Sequence, residues 1–311
     1  MTKIAFVFPG QGSQSIGMGK ELFDAFSIAK ETLQEAEDVL SVKLSSLMFE
    51  GPLEDLTLTH NTQPALLVAS MMAARVFDSQ MGSSYKKNIH SLAGHSLGEY
   101  SALTYGGVIQ FKDAIQAVRH RGLEMQKAVP VGEGAMAAIL GMKASDVRVV
   151  DGCVVANDNS LEQVVISGTK EAVDQSMKLC LENGAKRAIL LPVSAPFHSP
   201  FMKPAAKAMD VFLSNLSFSE SQVDVIMNVT AQPLDGFEYV RPLLVQQICG
   251  QVRWTETVQY LVNQGVDLFV EVGSGKVLSG LIRRIATDVK VMNLQIPSDF
   301  DLLSDHLCQN C

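Results

Sequence analysis

Residues Gly94-His95-Ser96-Leu97-Gly98 stand between an apolar run, Ile89 to Ala93, and a helix-like stretch from Glu99 to Tyr105. This is G-x-S-x-G in a strand–turn–helix setting, the pattern of a nucleophile elbow, and it requires a sheet with a helix packed upon it. Glycines on both sides permit a sharp turn that side chains would block. A helix beginning just after Ser96 aims free backbone N–H groups at any anion that forms there. The five-residue motif recurs by chance in long chains. Here the flanking pattern favours a reactive serine over an incidental one.

At 311 residues the chain suffices for one large core with an appended unit, or for two domains. Hydrophobic residues at 47% against 19% charged describe a globular protein, not a disordered one. A net charge of −8, with no basic run, argues against a nucleic-acid partner. Near the N-terminus, Ile4 to Phe8 is too short for a signal-peptide core. The most apolar helix candidate, Ala65 to Phe77, is interrupted by Ser70 and Arg75 and falls short of a membrane span. A cytoplasmic protein with no membrane partner is expected. Five scattered cysteines, an odd number, suit reduced thiols. Cys308-x-x-Cys311 has metal or redox spacing but no second ligand pair, so it reads as a frayed tail and no metal site is expected.

Ile4 to Phe8 reads as a buried strand stopped by Pro9-Gly10, followed by a helix through about Lys20 to Leu40. Thr62 is a candidate N-cap with Pro64 near the first helical position, opening a helix to about Phe77. A later helix carries the stripe Phe111, Ile115, Val118, Gly122 and Met125. At 100° per residue His120 points away from that stripe, while Arg119 and Arg121 flank it on opposite sides. Periodicity does not choose between these two arginines. From Gly134 the spacing predicts a strand at Ala135–Leu140 and a short helix at Ala144–Val149, then strands at Cys153–Ala156 and Gln163–Ser167. A helix at Lys170–Leu181 and a strand at Arg187–Val193 complete a β-α-β-β-α-β order, that of a ferredoxin-like, split βαβ unit. The α/β pattern resumes after Pro196. It has helices near 204–213, 241–248, 255–264 and 277–286, and strands near 225–229 and 268–272.

A serine nucleophile needs a base within reach, and only six histidines exist. His95 neighbours the serine and is expected off the other side of the turn. His198 sits in Ala195-Pro196-Phe197-His198-Ser199-Pro200, an irregular loop after a strand, where bases are commonly held. No third triad member emerges: Asp146, Asp151, Asp158 and Asp174 all fall in the inserted unit. Gly10-Gln11-Gly12 lacks the third glycine of a dinucleotide fingerprint and reads instead as a turn whose amide approaches a ligand oxygen.

Five strings in order resemble the acyltransferases of fatty acid and polyketide synthesis, in particular the stand-alone malonyl-CoA–acyl carrier protein transacylases. They are Phe8-Pro9-Gly10-Gln11-Gly12-Ser13-Gln14, Gly94-His95-Ser96-Leu97-Gly98-Glu99-Tyr100, Arg121-Gly122 before Met125-Gln126, Phe197-His198-Ser199 and Glu271-Val272-Gly273. The resemblance spans Ile4 to about Ile285. It implies Ser96 as the acylated nucleophile, His198 as its base and the backbone carbonyl of Gln247 orienting the imidazole. It further implies an oxyanion hole from the amides of Gln11 and Leu97. Arg121 would hold the malonyl carboxylate, with Phe197 and Asn159 also at the substrate. The implied fold is an α/β-hydrolase-like subdomain (1–127 and 195–311) carrying a ferredoxin-like insert (128–194). The implied reaction is ping-pong transfer from malonyl-CoA to acyl carrier protein for fatty acid biosynthesis, by a monomer without cofactor. Three departures stand out: Leu161-Glu162 where the family shows Pro-Gly, Ser274 for a proline, and Gly250-Gln251-Val252 for Asn-Pro-Val. A serine hydrolase and a non-catalytic carrier-binding scaffold are the rival readings. Arg121 and the missing acid weigh against the first, and an intact Ser96, His198 and Arg121 against the second.

Overall fold

A computed structural model describes residues 2–193 and 195–309; Cys311 of the tail motif lies outside the described residues. The elements in the first half are β1 (Ile4–Phe8), α1 (Lys20–Ala25), α2 (Ser27–Leu40), α3 (Leu44–Phe49), α4 (Leu53–Thr57), α5 (Thr59–Lys86), β2 (Ile89–Gly94), α6 (Gly98–Tyr105) and α7 (Phe111–Lys127). A middle group follows: β3 (Gly134–Leu140), β4 (Cys153–Ser160), β5 (Gln163–Thr169), α8 (Lys170–Glu182) and β6 (Arg187–Leu190). The chain closes with α9 (Lys203–Leu213), β7 (Asp224–Ile226), α10 (Val240–Cys249), β8 (Val252–Arg253), α11 (Trp254–Asn263), β9 (Leu268–Val272), α12 (Val277–Ile285), β10 (Lys290–Leu294) and α13 (Pro297–Gln309). The protein is mixed α/β, with two five-stranded sheets.

The first sheet is parallel throughout, in the order β10-β9-β1-β2-β7. Parallel strands need cover on both faces, and the unbroken apolar β1 supplies it. Ile4, Phe6 and Phe8 join the core formed with α2, α5, α6 and α7. Ala5 and Val7 point the other way, into the core of α11 and α12. Phe8 pairs with Gly94, so the loops after β1 and β2 emerge side by side at the carboxyl edge of the sheet. Ligand crevices of open α/β sheets form at that edge.

The second sheet runs β6-β3-β5-β4-β8, antiparallel except for β8 on β4. Along β3 the side chains alternate. Ala135, Ala137 and Ile139 pack with Val173 and Cys180 of α8, whereas Met136 and Ala138 face a cavity shared with the first sheet's loops. The second sheet is thus one wall of that cavity.

Four expectations are corrected. Residues 144–146 form a turn and 147–149 have no regular structure, rather than a helix; with three β-branched valines in 147–150, only Val147 of the segment is buried, beside Met142. The helix expected over 20–40 breaks at Phe26, whose backbone is extended and whose ring packs on Phe300. Pro64 lies inside α5 rather than at its start, and Thr62 is no N-cap, since its hydroxyl donates to the Leu56 carbonyl. A proline cannot donate to the carbonyl four residues back, and the freed His60 carbonyl accepts instead from Arg119 at 2.7 Å. Finally, Cys308, read as part of a frayed tail, belongs to α13, and β10 precedes it where no element was expected.

Candidate active site

The elbow is built by close approach. A Cβ on Gly94 would lie 1.9 Å from the Gly98 carbonyl, and one on Gly98 would lie 2.0 Å from the Phe8 carbonyl, so only glycine fits at either place. Ser96 between them has φ 52°. Four non-glycine residues among those described have positive φ, and Ser96 and His198 are two of them. Such strain persists where the surroundings over-determine it. Asn228, after β7, provides that restraint at the elbow. Its Oδ1 accepts from the Ser96 N–H at 2.7 Å, and its Nδ2 donates to the Gly94 carbonyl at 2.6 Å.

His198, 4% exposed, lies on the other side of the serine, with Nε2 at 2.8 Å from Ser96 Oγ. Its Nδ1 faces two carbonyls, Gln247 at 2.8 Å and Gly250 at 3.1 Å. Carbonyls only accept, so Nδ1 carries the proton and Nε2 is left as the acceptor for the serine hydroxyl. Both carbonyls come from the C-terminal end of α10, where helix geometry leaves carbonyls without partners. Burial, and next the charge of Arg121, push the His198 pKa down to about 3. The ring is a neutral base at physiological pH.

Arg121 of α7 is 1% exposed, and its Nη2 donates to Ser96 Oγ at 3.1 Å and to Gln247 Oε1 at 2.8 Å. The choice left open by periodicity is resolved in space. Arg121 reaches the serine, whereas Arg119 is spent on the His60 carbonyl and the Asn61 side chain. Gln247 also donates from Nε2 to the Ser96 carbonyl at 2.8 Å and to Glu99 Oε2 at 3.0 Å. One residue therefore holds the imidazole with its backbone and the guanidinium with its side chain. Glu99 is fully buried and accepts a further bond from the Asn228 N–H. Burial raises its pKa to about 7, against the opposing effects of Gln247, Asn228 and Arg121. Arg121 thus sits among neutral acceptors and a carboxyl that resists ionising.

A cavity of about 230 Å³ opens over this cluster, lined by Gln11, Leu97, Phe197 and Asn159 as well as the groups above. The main-chain N–H groups of Gln11 and Leu97 have no partner among the described residues, as a hole for an oxyanion requires. Phe197 forms wall beside His198. Asn159, in β4, accepts from His95 Nε2 at 2.7 Å. His95 itself lines the cavity, tied to β4 and set edge-on to Trp254, rather than turning away from it. Sequence reasoning missed Asn228 and Glu99. Their partners lie more than 100 residues away, and only the position of Glu99 beside the elbow was a signal. Glu271, in the fifth motif, is a cap. It accepts from the N–H groups of Leu278 and Ser279 at the start of α12.

Residues 5–294 match the model of the acyl transferase domain family. The malonyl CoA-acyl carrier protein transacylase of Bacillus subtilis is 46% identical over 311 residues, covering 97% of this chain and 96% of the relative. The Escherichia coli K12 protein of the same name is 45% identical over 305 residues, covering 96% and 97%. Among solved structures, the acyl-carrier-protein-S-malonyltransferase of Bartonella henselae superposes with a TM-score of 0.95 at 46% identity, covering 98% of this chain and 99% of that one. A malonyl-transacylase in complex with a type II PKS acyl-carrier protein superposes at 0.94 with 42% identity, covering 98% and 100%.

Proposed function

The chain belongs to the acyl transferase family, and from that premise we propose that it moves a malonyl group from malonyl-CoA to the thiol of an acyl carrier protein. The observation that carries the reading is a buried guanidinium 3.1 Å from a serine oxygen that a neutral imidazole also holds, at 2.8 Å. As Ser96 Oγ bonds to the thioester carbon, its proton passes to His198 Nε2. The carbonyl oxygen, now an oxyanion, lies at the amides of Gln11 and Leu97. The carbon–sulfur bond breaks, and His198 returns the proton to the coenzyme A thiolate. In the second half the carrier's phosphopantetheine thiol gives its proton to His198 and attacks the acyl carbon, and Ser96 leaves with that proton. The malonyl carboxylate, two carbons beyond the reacting one, pairs with Arg121, whose planar fork suits a carboxylate. Phe197 narrows the space beside the base, and Asn159 fixes the cavity wall through His95.

The fold reading that accompanies this is an α/β-hydrolase-like subdomain, 1–127 and 195–311, carrying a ferredoxin-like insert, 128–194. The strand order β6-β3-β5-β4 and the parallel first sheet support it. A cytoplasmic monomer without cofactor, serving fatty acid biosynthesis, completes the proposal. The carrier is acidic in this reading and needs a local basic surface on a chain of net charge −8. Lys186-Arg187 and Arg283-Arg284 are the candidate pairs; Arg283 and Arg284 of α12 line a second, open cavity with Lys143, Arg148, Asp146 and Glu162, and Arg284 donates to Gln163, which lines the first. Intact-mass analysis tests the reaction. Malonyl-CoA should add one malonyl mass to the wild type and none to Ser96→Ala, and holo carrier protein should remove it. A malonyl adduct on folded Ser96→Ala refutes the assignment.

A further inference from the structure

Glu99 is the first side chain of α6 after the elbow glycine, and it is 0% exposed. It does not line the cavity, and the transfer chemistry gives it no proton to move. A carboxyl shut away from water is costly unless its hydrogen bonds repay the burial. Here one oxygen carries all of them. Oε2 accepts from the Asn228 N–H and from Gln247 Nε2, each at 3.0 Å, while Oε1 has no partner among the described residues. The two donors lead to different parts of the site. Asn228 holds the Ser96 N–H and the Gly94 carbonyl with its side chain, and so restrains the left-handed backbone of the nucleophile. Gln247 turns Oε1 to Arg121 Nη2 and Nε2 to Glu99 and the Ser96 carbonyl.

We infer that Glu99 is a positioning residue for acyl loading, its Oε2 setting which end of the Gln247 amide faces Arg121 and holding Asn228 against the elbow. The inference rests on the malonyl-transfer reading. A guanidinium only donates, and Oε2 accepts, so the amide between them has one satisfied orientation. Turned over, its NH2 would meet the Arg121 donors and its oxygen would meet Glu99 Oε2. An apolar residue at 99 leaves the Asn228 N–H and one Nε2 hydrogen without an acceptor in a dry place. A glutamine at 99 still offers one acceptor oxygen, and its NH2 takes the place of the idle Oε1. The two arms have separate kinetic consequences. Asn228 and the elbow serve the attack on any thioester, whereas the Arg121 arm serves only an acyl group with a carboxylate.

The test is single-turnover loading at varied malonyl-CoA and acetyl-CoA in Glu99→Leu and Glu99→Gln, with intact mass giving the active fraction and thermal unfolding the fold. Two buried donors left unmet predict that Glu99→Leu slows the maximal loading of both acyl groups about tenfold to a hundredfold. Half-saturation should rise severalfold for malonyl-CoA alone. Glu99→Gln should recover both quantities to within about threefold, because the acceptor is restored. Gln247→Leu should raise the malonyl half-saturation by itself and raise it no further when added to Glu99→Leu. A merely structural residue would lower the melting temperature and the active fraction without this split between rate and half-saturation. That result, a folded Glu99→Gln as impaired as Glu99→Leu, or full additivity with Gln247→Leu overturns the inference while leaving malonyl transfer intact. A wild type that takes up no malonyl mass overturns both.

Discussion

Replacing Arg121 by alanine should change the substrate of the site rather than simply disable it. The guanidinium is 1% exposed and bonded only to neutral acceptors, Ser96 Oγ and Gln247 Oε1, while its nearest acid, Glu99, has a pKa raised to about 7. Among the described residues lining the cavity, no other side chain offers the malonyl carboxylate a full positive charge. Without Arg121 that carboxylate is buried unpaired, at a cost of about 3–5 kcal/mol. At ~1.4 kcal/mol per tenfold, this is a fall of roughly 150- to 5,000-fold in kcat/KM for malonyl-CoA. Water entering the vacated space screens part of the charge, which favours the lower end of that range. An acetyl group has no carboxylate to strand, and in the wild type it leaves the guanidinium without an anionic partner. Acetyl transfer should therefore hold or rise.

The assay is steady-state transfer from both thioesters to carrier protein, with circular dichroism and thermal unfolding on each variant. Arg119→Ala is the control on the same helix. Its guanidinium serves the His60 carbonyl freed by Pro64 and is half-buried, so the loss should cost about 1 kcal/mol of stability and leave selectivity alone. If a folded Arg121→Ala loses malonyl and acetyl transfer by the same factor, the arginine is structural and carboxylate recognition lies elsewhere.

Two further outcomes are expected. With a folded pKa of about 3 against an ordinary 6.5, His198 binds a proton more readily in the unfolded chain. Its contribution to stability is complete above pH 6.5 and is lost as pH falls toward 3, at ~1.4 kcal/mol per pH unit. The melting temperature of the wild type should thus drop more steeply between pH 6.5 and pH 4 than that of His198→Gln. Parallel slopes would contradict the buried neutral ring. Charge reversal of Arg283 and Arg284 should raise KM for the carrier protein severalfold at low salt with no change in KM for malonyl-CoA. Unchanged carrier kinetics would remove this rim as the docking surface.

The parts of the fold legible in the sequence are those whose cause is local. Strand β1 falls where an unbroken apolar run meets Pro9, β9 where Leu268-Phe269-Val270 leads to Gly273, and α6 and α7 follow from the elbow and a clean helical stripe. The parts that were not legible depend on distant partners. Pro64 looks like a helix start until Arg119, far along the chain on α7, is seen to take over the carbonyl it frees. Residues 144–149 stand where the β-α-β-β-α-β order calls for a helix, but their valines are β-branched and the chain makes only a turn there. Within the site, Ser96 and His198 were marked by an elbow and a Pro-bracketed loop. Arg121 could not be separated from Arg119, because two residues apart on a helix both border the same stripe. Asn228 reaches the elbow across 132 residues, and no spacing announces it.

The missing acidic triad member was visible as an absence, and the geometry gives it a physical reason. A base that must become an imidazolium in the transition state needs an acceptor at Nδ1, and an aspartate is the stronger one. In this cavity an aspartate behind His198 would lie close to Arg121, whose charge is already strong enough to help depress the His198 pKa. Its negative charge would offset part of the guanidinium's field, and the substrate carboxylate would be held less strongly. The carbonyls of Gln247 and Gly250 accept from Nδ1 without carrying a net charge, and the C-terminal end of α10 lends them partial negative character. Glu99, the one carboxyl close at hand, is held near neutrality by burial and faces Gln247 and Asn228. The site thus keeps its positive charge for the anion that the proposed reaction brings, and a neutral orienting group is a condition of that selectivity.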